Sequence, residues 1–238
     1  MSGPITTRLR ERFPVATDVY DLVFDVLDPP KLDFKAGQFV TLTVGADNTG
    51  KTLRRSYSIA SMSHRGESLR FLIRAISGGM ATDYFLHLPL GTDVPMTGPH
   101  GFFVLAPEHP GDVVFGATGT GLAPVLPMLG ELAARSEAGR RLVYWGLRHQ
   151  SDLFIAQEVE ELCRKSGAIL YTYLSRPSEG WTGRQGRITA AVLADLPTLT
   201  TPTFYLVGNG AMITELKGGL VSAGIDRRKQ IRTEAFFD

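Results

Sequence analysis

Near APEHPGD, residues 106–112, the pattern of the sequence changes, and that change commits the chain to a two-part fold. Before it stand six short β-like runs, TTRLRERFPVA, DVYDLVFDVL, GQFVTLTVG, LRRSYSIAS, SLRFLIRAI and GTDVPMTG, broken by turn segments such as LDPPKLDFKAGQ and GADNTGK. Their spacing is typical of an antiparallel barrel or sandwich. After it, strands alternate with helical segments. DVVFGA precedes APVLPMLGELAARSE, RLVYWG precedes SDLFIAQEVEELCRK, AILYTYLS is followed by a loop and TAAVLADL, and TFYLVGNG precedes AMITELKGGLVSAG. A final run, KQIRTEAFF, closes the chain. Such alternation predicts a doubly wound α/β unit with a parallel five-stranded sheet. The boundary is placed near residue 108, giving a β domain over 1–107 and an α/β domain over 108–238.

A chain of 238 residues has room for two modest domains. Its 25 basic and 24 acidic residues nearly cancel, which argues against a nucleic-acid or membrane-surface partner. No apolar run approaches the roughly 20 residues that span a bilayer. The start, MSGPITTRLRER, has no apolar core and so is not read as a signal peptide; a cytoplasmic protein is expected. Cys163 stands alone, which excludes an intrachain disulfide and a four-cysteine iron–sulfur site. It lies in EVEELCRKSG, an amphipathic helix expected to end at Gly167, and is read as a buried structural thiol. The five histidines, at 64, 87, 100, 109 and 149, lack metal-ligand spacing, and no metal site is expected.

The chemistry concentrates at two places. After DVVFGA comes TGTGLAP, with Thr118, Gly119, Thr120, Gly121 and a proline suited to a first helical turn. A strand, glycine turn and helix present backbone N–H groups and a positive helix end to a pyrophosphate. The spacing is not G-x-G-x-x-G, so a plain tight turn stays open for this motif alone. Other strand ends point to the same sheet edge: Gly146 and Arg148, Ser175 and Arg176, and Gly208 to Met212 in VGNGAM; for Arg148 alone, a solvated surface arginine stays open. Ligands of open α/β sheets sit at that edge.

The second place is RRSYSIAS, Arg54 to Ser61. On a strand Arg55 and Tyr57 share a face roughly 7 Å apart. A fixed positive charge, a flat ring and a hydroxyl suit a flavin with a pyrophosphate tail. Arg55-Ser56-Tyr57-Ser58 resembles the R-x-Y-S motif of the ferredoxin–NADP(+) reductase family, which binds FAD in a β-barrel and NAD(P)H in an α/β domain. The resemblance covers nearly the whole chain. GQFV resembles the family's barrel strand before the flavin motif, IRAISGGMAT its second FAD motif, and GPHGFF the segment closing the flavin domain. TGTGLAP and GNGAM resemble the two nicotinamide-side motifs. The fold it implies is an antiparallel Greek-key β-barrel followed by the NAD(P)-binding sheet.

The resemblance also implies roles. Arg55 would pair with an FAD phosphate, Tyr57 would stack on the isoalloxazine, and Ser58 would hydrogen-bond near flavin N5, the hydride acceptor. Amides around Gly79, Met80, Ala81 and Thr82 would hold the pyrophosphate; for Arg74, an FAD contact and a solvated barrel residue both stay open. Glu234 would lie near the nicotinamide, and Phe236 or Phe237 would shield the flavin, ordinary packing of a last strand being the alternative. Where many members carry a cysteine beside the nicotinamide, this chain has Val207, which offers shape but no thiol.

Arg176 and Arg187 suit the 2′-phosphate, which favours NADPH, with NADH as the alternative, since Trp181 to Arg184 also resembles a segment of NADH-type relatives. The implied activity is hydride transfer between NAD(P)H and FAD. Single electrons then pass to a ferredoxin, a flavodoxin or an oxygenase component. A free-flavin reductase and an electron-transfer subunit of a larger complex are the competing readings.

Overall fold

The computed structural model describes residues 3–46 and 49–236. The chain divides into two compact units, residues 1–104 and 105–238. The break expected near residue 108 falls inside the segment leading into the second unit's first strand.

The first unit contains β1 (Gly3–Ala16), β2 (Val19–Asp28), β3 (Phe39–Ala46), β4 (Thr52–Ser58), β5 (Ser68–Arg74), helix α1 (Met80–His87) and β6 (Asp93–His100). Its strands form one antiparallel sheet in the order β4-β3-β6-β1-β2-β5. The last strand thus enters between the hairpins β1-β2 and β3-β4, which is a Greek-key path. Just past β4, the Ala60 N–H donates to the Arg70 carbonyl at 2.8 Å, drawing the β4 end back to β5 and curling the sheet toward closure.

Period-two alternation explains the core. Ile5, Thr7 and Leu9 of β1 are buried while Arg8 and Arg10 are exposed. Phe24, Phe71 and Phe85 meet edge to face, the first pair at 5.7 Å and Phe24–Phe85 at 6.4 Å. Phe85 is the buried residue of α1, and burial of such a ring contributes about 2–3 kcal/mol, enough to seat a two-turn helix that could not persist alone.

The second unit runs β7 (Val113–Thr118), α2 (Val125–Ala133), β8 (Arg141–Leu147), α3 (Ala156–Ser166), β9 (Ala168–Leu174), β10 (Arg184–Gln185), α4 (Ile188–Asp195), β11 (Thr203–Asn209), α5 (Gly210–Ser222) and β12 (Ile231–Phe236). All its ladders are parallel, in the order β10-β9-β8-β7-β11-β12. The five expected strands are present. A sixth, β10, is two residues long and stands where the sequence pattern predicts loop, because no apolar pattern can mark so short an edge strand. β7, β8 and β11 are buried along almost their whole length, as strands covered on both faces must be. Helices α4 and α5 cover Val114, Leu142, Tyr144, Phe204 and Leu206 on one face. Helix α3 ends at Gly167 as expected, and burial pushes the Cys163 thiol up to about 12, so it stays protonated and inert.

One buried polar cluster braces the entry to this unit. The Tyr205 hydroxyl oxygen accepts from the Ala106 N–H at 2.8 Å and from Arg232. Its own proton is therefore left for His109 Nε2, 2.9 Å away, and His109 Nδ1–H donates to Glu137 Oε2, also at 2.9 Å. Glu137, Arg135, Arg232 and Tyr205 are the groups facing this imidazole. Burial, reinforced by Arg135 and Arg232, lowers its pKa more than Glu137 raises it. A depressed folded-state pKa means that the unfolded chain binds the proton first. Stability from this group is therefore complete above the unfolded value, about 6.5, and is lost as pH falls through the folded one. Urea unfolding between pH 7.5 and 5.5 is expected to show this loss, and His109→Gln to flatten it; equal pH slopes for the two proteins would contradict the assignment.

Candidate functional site

In the first unit the candidate residues gather on edge strand β4 and on the start of α1. Register pairs Leu42 with Arg55, Val40 with Tyr57 and Phe39 with Ser58. Tyr57 is half-buried, and its ring meets Phe85 of α1 edge to face at 5.7 Å, so β4 and α1 adjoin. Burial pushes the Tyr57 hydroxyl up to about 12 against the smaller pull of Arg55, and it stays a neutral donor at physiological pH. Arg55 is exposed and gives one N–H to the Arg54 carbonyl at 2.8 Å. Ser58 is buried, 6% exposed.

Gly79 caps α1 with its backbone alone, no side chain serving the first turn. A Cβ there would meet the Ile76 carbonyl oxygen at 2.9 Å, so the tight entry excludes a side chain. Thr82 Oγ1 accepts the Ile76 N–H at 2.9 Å and fixes the same turn. Met80 is exposed, and Ala81 is half-buried against the barrel core. Arg74, at the end of β5, is bound through Nε to Asp18 at 2.7 Å, an exposed ion pair.

In the second unit the sheet order reverses between β7 and β11, which opens a crevice at their carboxyl ends. After Thr118 the chain turns at Gly119, in the left-handed region at φ +54°, into a 3₁₀ turn over Gly119–Leu122 that includes Thr120. The Trp145 indole N–H, from β8, donates to the Gly119 carbonyl at 3.2 Å and holds this turn from beneath. A Cβ on Gly121 would lie 2.8 Å from the Val207 carbonyl oxygen; on Gly208, at φ +114°, it would lie 2.4 Å from Thr118 Oγ1. That hydroxyl accepts the Asn209 N–H at 2.8 Å, and Asn209 caps α5 by accepting the Met212 N–H at 3.0 Å. The rims of the crevice are therefore glycine backbone set against backbone and the Thr118 hydroxyl.

The VGNGAM motif places Met212 at the cofactor. Its side chain instead belongs to the α4–α5 core, 7% exposed, and its amide is already engaged. Val207 is fully buried and pairs in register with Glu234 on β12, as Asn209 pairs with Phe236. Phe237 lies outside the described residues.

Farther along the edge, Ser175 and Arg176 follow β9, Arg148 follows β8, and Arg187 stands just ahead of α4; all four are exposed. Among the described residues none of these arginines has a carboxylate partner, whereas Arg8, Arg70, Arg74 and Arg140 all do. Arg184 lies over the Tyr171 ring at 4.6 Å and so is committed to packing. No group of residues that could hold a metal ion occurs among the described residues. Sequence reasoning missed Trp145. An indole inside an apolar strand needs a partner for its N–H, and the neighbouring glycine turn was the place to look for one.

Comparison with known proteins agrees with both halves. Residues 6–105 match the oxidoreductase FAD-binding domain family and residues 115–217 the oxidoreductase NAD-binding domain family. The chain is 33% identical over 190 residues to ferredoxin–NADP reductase B of Sorangium cellulosum, covering 79% of this chain and 77% of that one. This chain belongs to the ferredoxin–NADP reductase family. It is an oxidoreductase that uses FAD and NAD(P)H. It is also 25% identical over 239 residues to an NAD(P)H-flavin reductase of Aliivibrio fischeri, covering 98% of each. The Amycolatopsis cytochrome P450 reductase GcoB has the same fold at 28% identity and a TM-score of 0.88, over 99% of this chain and 70% of that one. Against two propane 2-monooxygenase reductase components from Mycolicibacterium species, this chain spans 61% and 64% of their length. No helix of the described residues is long and apolar enough to cross a membrane.

Replacing Gly208 by alanine tests the crevice. The positive φ and the contact with Thr118 are expected to cost about 2 kcal/mol and to abolish tight nucleotide binding. Urea unfolding with a nucleotide titration measures both, and a variant of unchanged stability and affinity would contradict the reading.

Proposed function

We propose that this protein is a cytoplasmic, NADPH-preferring reductase that holds one FAD and hands electrons singly to a separate ferredoxin, flavodoxin or oxygenase component. The observation that carries the nucleotide preference is the set of exposed arginines, Arg148, Arg176 and Arg187, that have no carboxylate partner among the described residues, along one sheet edge. Cations left unneutralised beside one another suit a multiply charged anion, and a guanidinium fork matches phosphate geometry. The acceptor class is supported by relatives named as ferredoxin and oxygenase reductases.

The chemistry supplied by a bound FAD is acceptance of two electrons as hydride followed by release one at a time. On this reading Arg55 and the first-turn amides of Met80, Ala81 and Thr82 bind its phosphates, Gly79 giving its own N–H to the Ile76 carbonyl at 2.9 Å and keeping the approach free of a side chain, with Arg74 adding its Nη groups. Tyr57 orients the ring by its face, and Ser58 supplies a hydroxyl for the ring nitrogen. Thr118, Gly119, Thr120, Gly121 and Gly208 admit the NADPH pyrophosphate, Arg148 and Ser175 flank the nucleotide, and Arg176 with Arg187 binds the 2′-phosphate. Glu234 places a negative charge, and Phe236 an apolar face, toward the nicotinamide end. Val207 gives that end shape without a thiol.

The end-to-end match to a flavin reductase favours a second reading, in which flavin is a substrate that comes and goes. Gel filtration separates the two: a prosthetic FAD co-elutes with the protein, and a substrate flavin does not. Under anaerobic conditions excess NADPH is expected to bleach the bound flavin faster than NADH does. A flavin that stays yellow with both nucleotides would refute the proposal.

A further inference from the structure

We infer that His149 is a positioning residue which fixes Arg176 and, through it, sets the preference for a nucleotide bearing a 2′-phosphate. The inference rests on the reading of Arg176 given above and adds a residue that no motif marks. Both main-chain polar groups of Arg176 are held by the two residues that follow β8. Its N–H donates to the Arg148 carbonyl at 2.8 Å, and its carbonyl lies 2.8 Å from His149 Nδ1. A carbonyl only accepts, so Nδ1 carries the hydrogen and donates.

The donor is itself braced. Asp152 Oδ2 accepts the N–H of His149 at 2.9 Å and that of Arg148 at 3.1 Å, closing the turn after β8 into a rigid support. The Asp152 N–H returns to the His149 carbonyl at 3.2 Å. The chain leaving β9 has less to hold it. Residue 177 is proline, which has no N–H to give, and the path then runs through exposed Ser178, Glu179 and Gly180 before β10. Ser178 Oγ donates to Gln150 Oε1, a second link to the same support. The bond from His149 is thus the last main-chain tie on Arg176 before a segment whose residues are mostly exposed.

Arg148 and Arg176 extend adjacent parallel strands, offset by one position and joined by the main-chain bond from the Arg176 N–H to the Arg148 carbonyl. Asparagine at 149 would place an amide N–H close to where Nδ1–H stands, whereas alanine removes the donor.

The test uses the FAD-loaded protein and four forms of it: wild type, His149→Ala, His149→Asn and Arg176→Ala. Titration calorimetry with adenosine 2′,5′-bisphosphate and with 5′-AMP supplies a readout apart from turnover. His149→Ala is expected to raise KM for NADPH and Kd for the bisphosphate about fivefold, with kcat, KM for NADH and Kd for 5′-AMP within about twofold of wild type. His149→Asn is expected to restore both values, and Arg176→Ala to raise them at least as far as His149→Ala.

Equal rises for both nucleotides in His149→Ala, no rise at all, or a failure of asparagine to rescue would overturn the positioning role while leaving Arg176 as a phosphate contact. If Arg176→Ala leaves KM for NADPH unchanged, the phosphate reading falls and this inference falls with it. His149 is exposed, so thermal melting of His149→Ala is expected to match wild type; a lowered melting temperature with both nucleotides weakened alike would also count against the inference.

Discussion

The ends of β7 and β11 approach so closely that Gly121 and Gly208 have no room for a Cβ, and the nucleotide half of the molecule depends on that closeness. Thr118 reaches across to the Asn209 amide, Gly208 lies where a Cβ would strike that same threonine, and Gly121 seats the following turn against the Val207 carbonyl. Steric exclusion leaves glycine as the residue that positions 121 and 208 accept, and the result is a crevice lined by backbone and the Thr118 hydroxyl. Backbone amides are what a pyrophosphate can use, because they carry partial positive charge and cannot swing away. Trp145 and Asn209 then fix the two walls, one through the Gly119 carbonyl and the other by capping α5.

The β unit solves a different problem, that of presenting a charge and a ring from a strand edge. Tyr57 is fixed because it shares Phe85 with the barrel core, so orientation of the ring is bought with the same contacts that seat α1. Arg55 stays exposed on the same strand face two residues away. Elsewhere on this unit Arg70 is committed to structure, forking onto Asp21. The α/β unit shows the same division, with Arg140 locked to the buried Asp112 while the arginines of the carboxyl edge have no carboxylate partner among the described residues.

Much of this was legible in the sequence because the governing signals are local. The period of two in β1, the continuous apolar runs of β7 and β11, and the glycine stop after Cys163 each follow from a few neighbouring residues. What was not legible depended on long-range placement. β10 is a strand only because the end of β9 lies beside it. Met212 followed a motif into the site, yet the helix turned its side chain to the core. His149 and Trp145 act through hydrogen bonds to residues 27 and 26 positions away, which no spacing rule could mark.

Amide chemical shifts of isotopically labelled protein titrated with NADP(+) test the central claim most directly. The account predicts that the largest perturbations fall on Gly119 to Gly121 and Gly208 to Gly210, with Arg148 and Arg176 next. Saturable binding that leaves those glycine amides unmoved would contradict it.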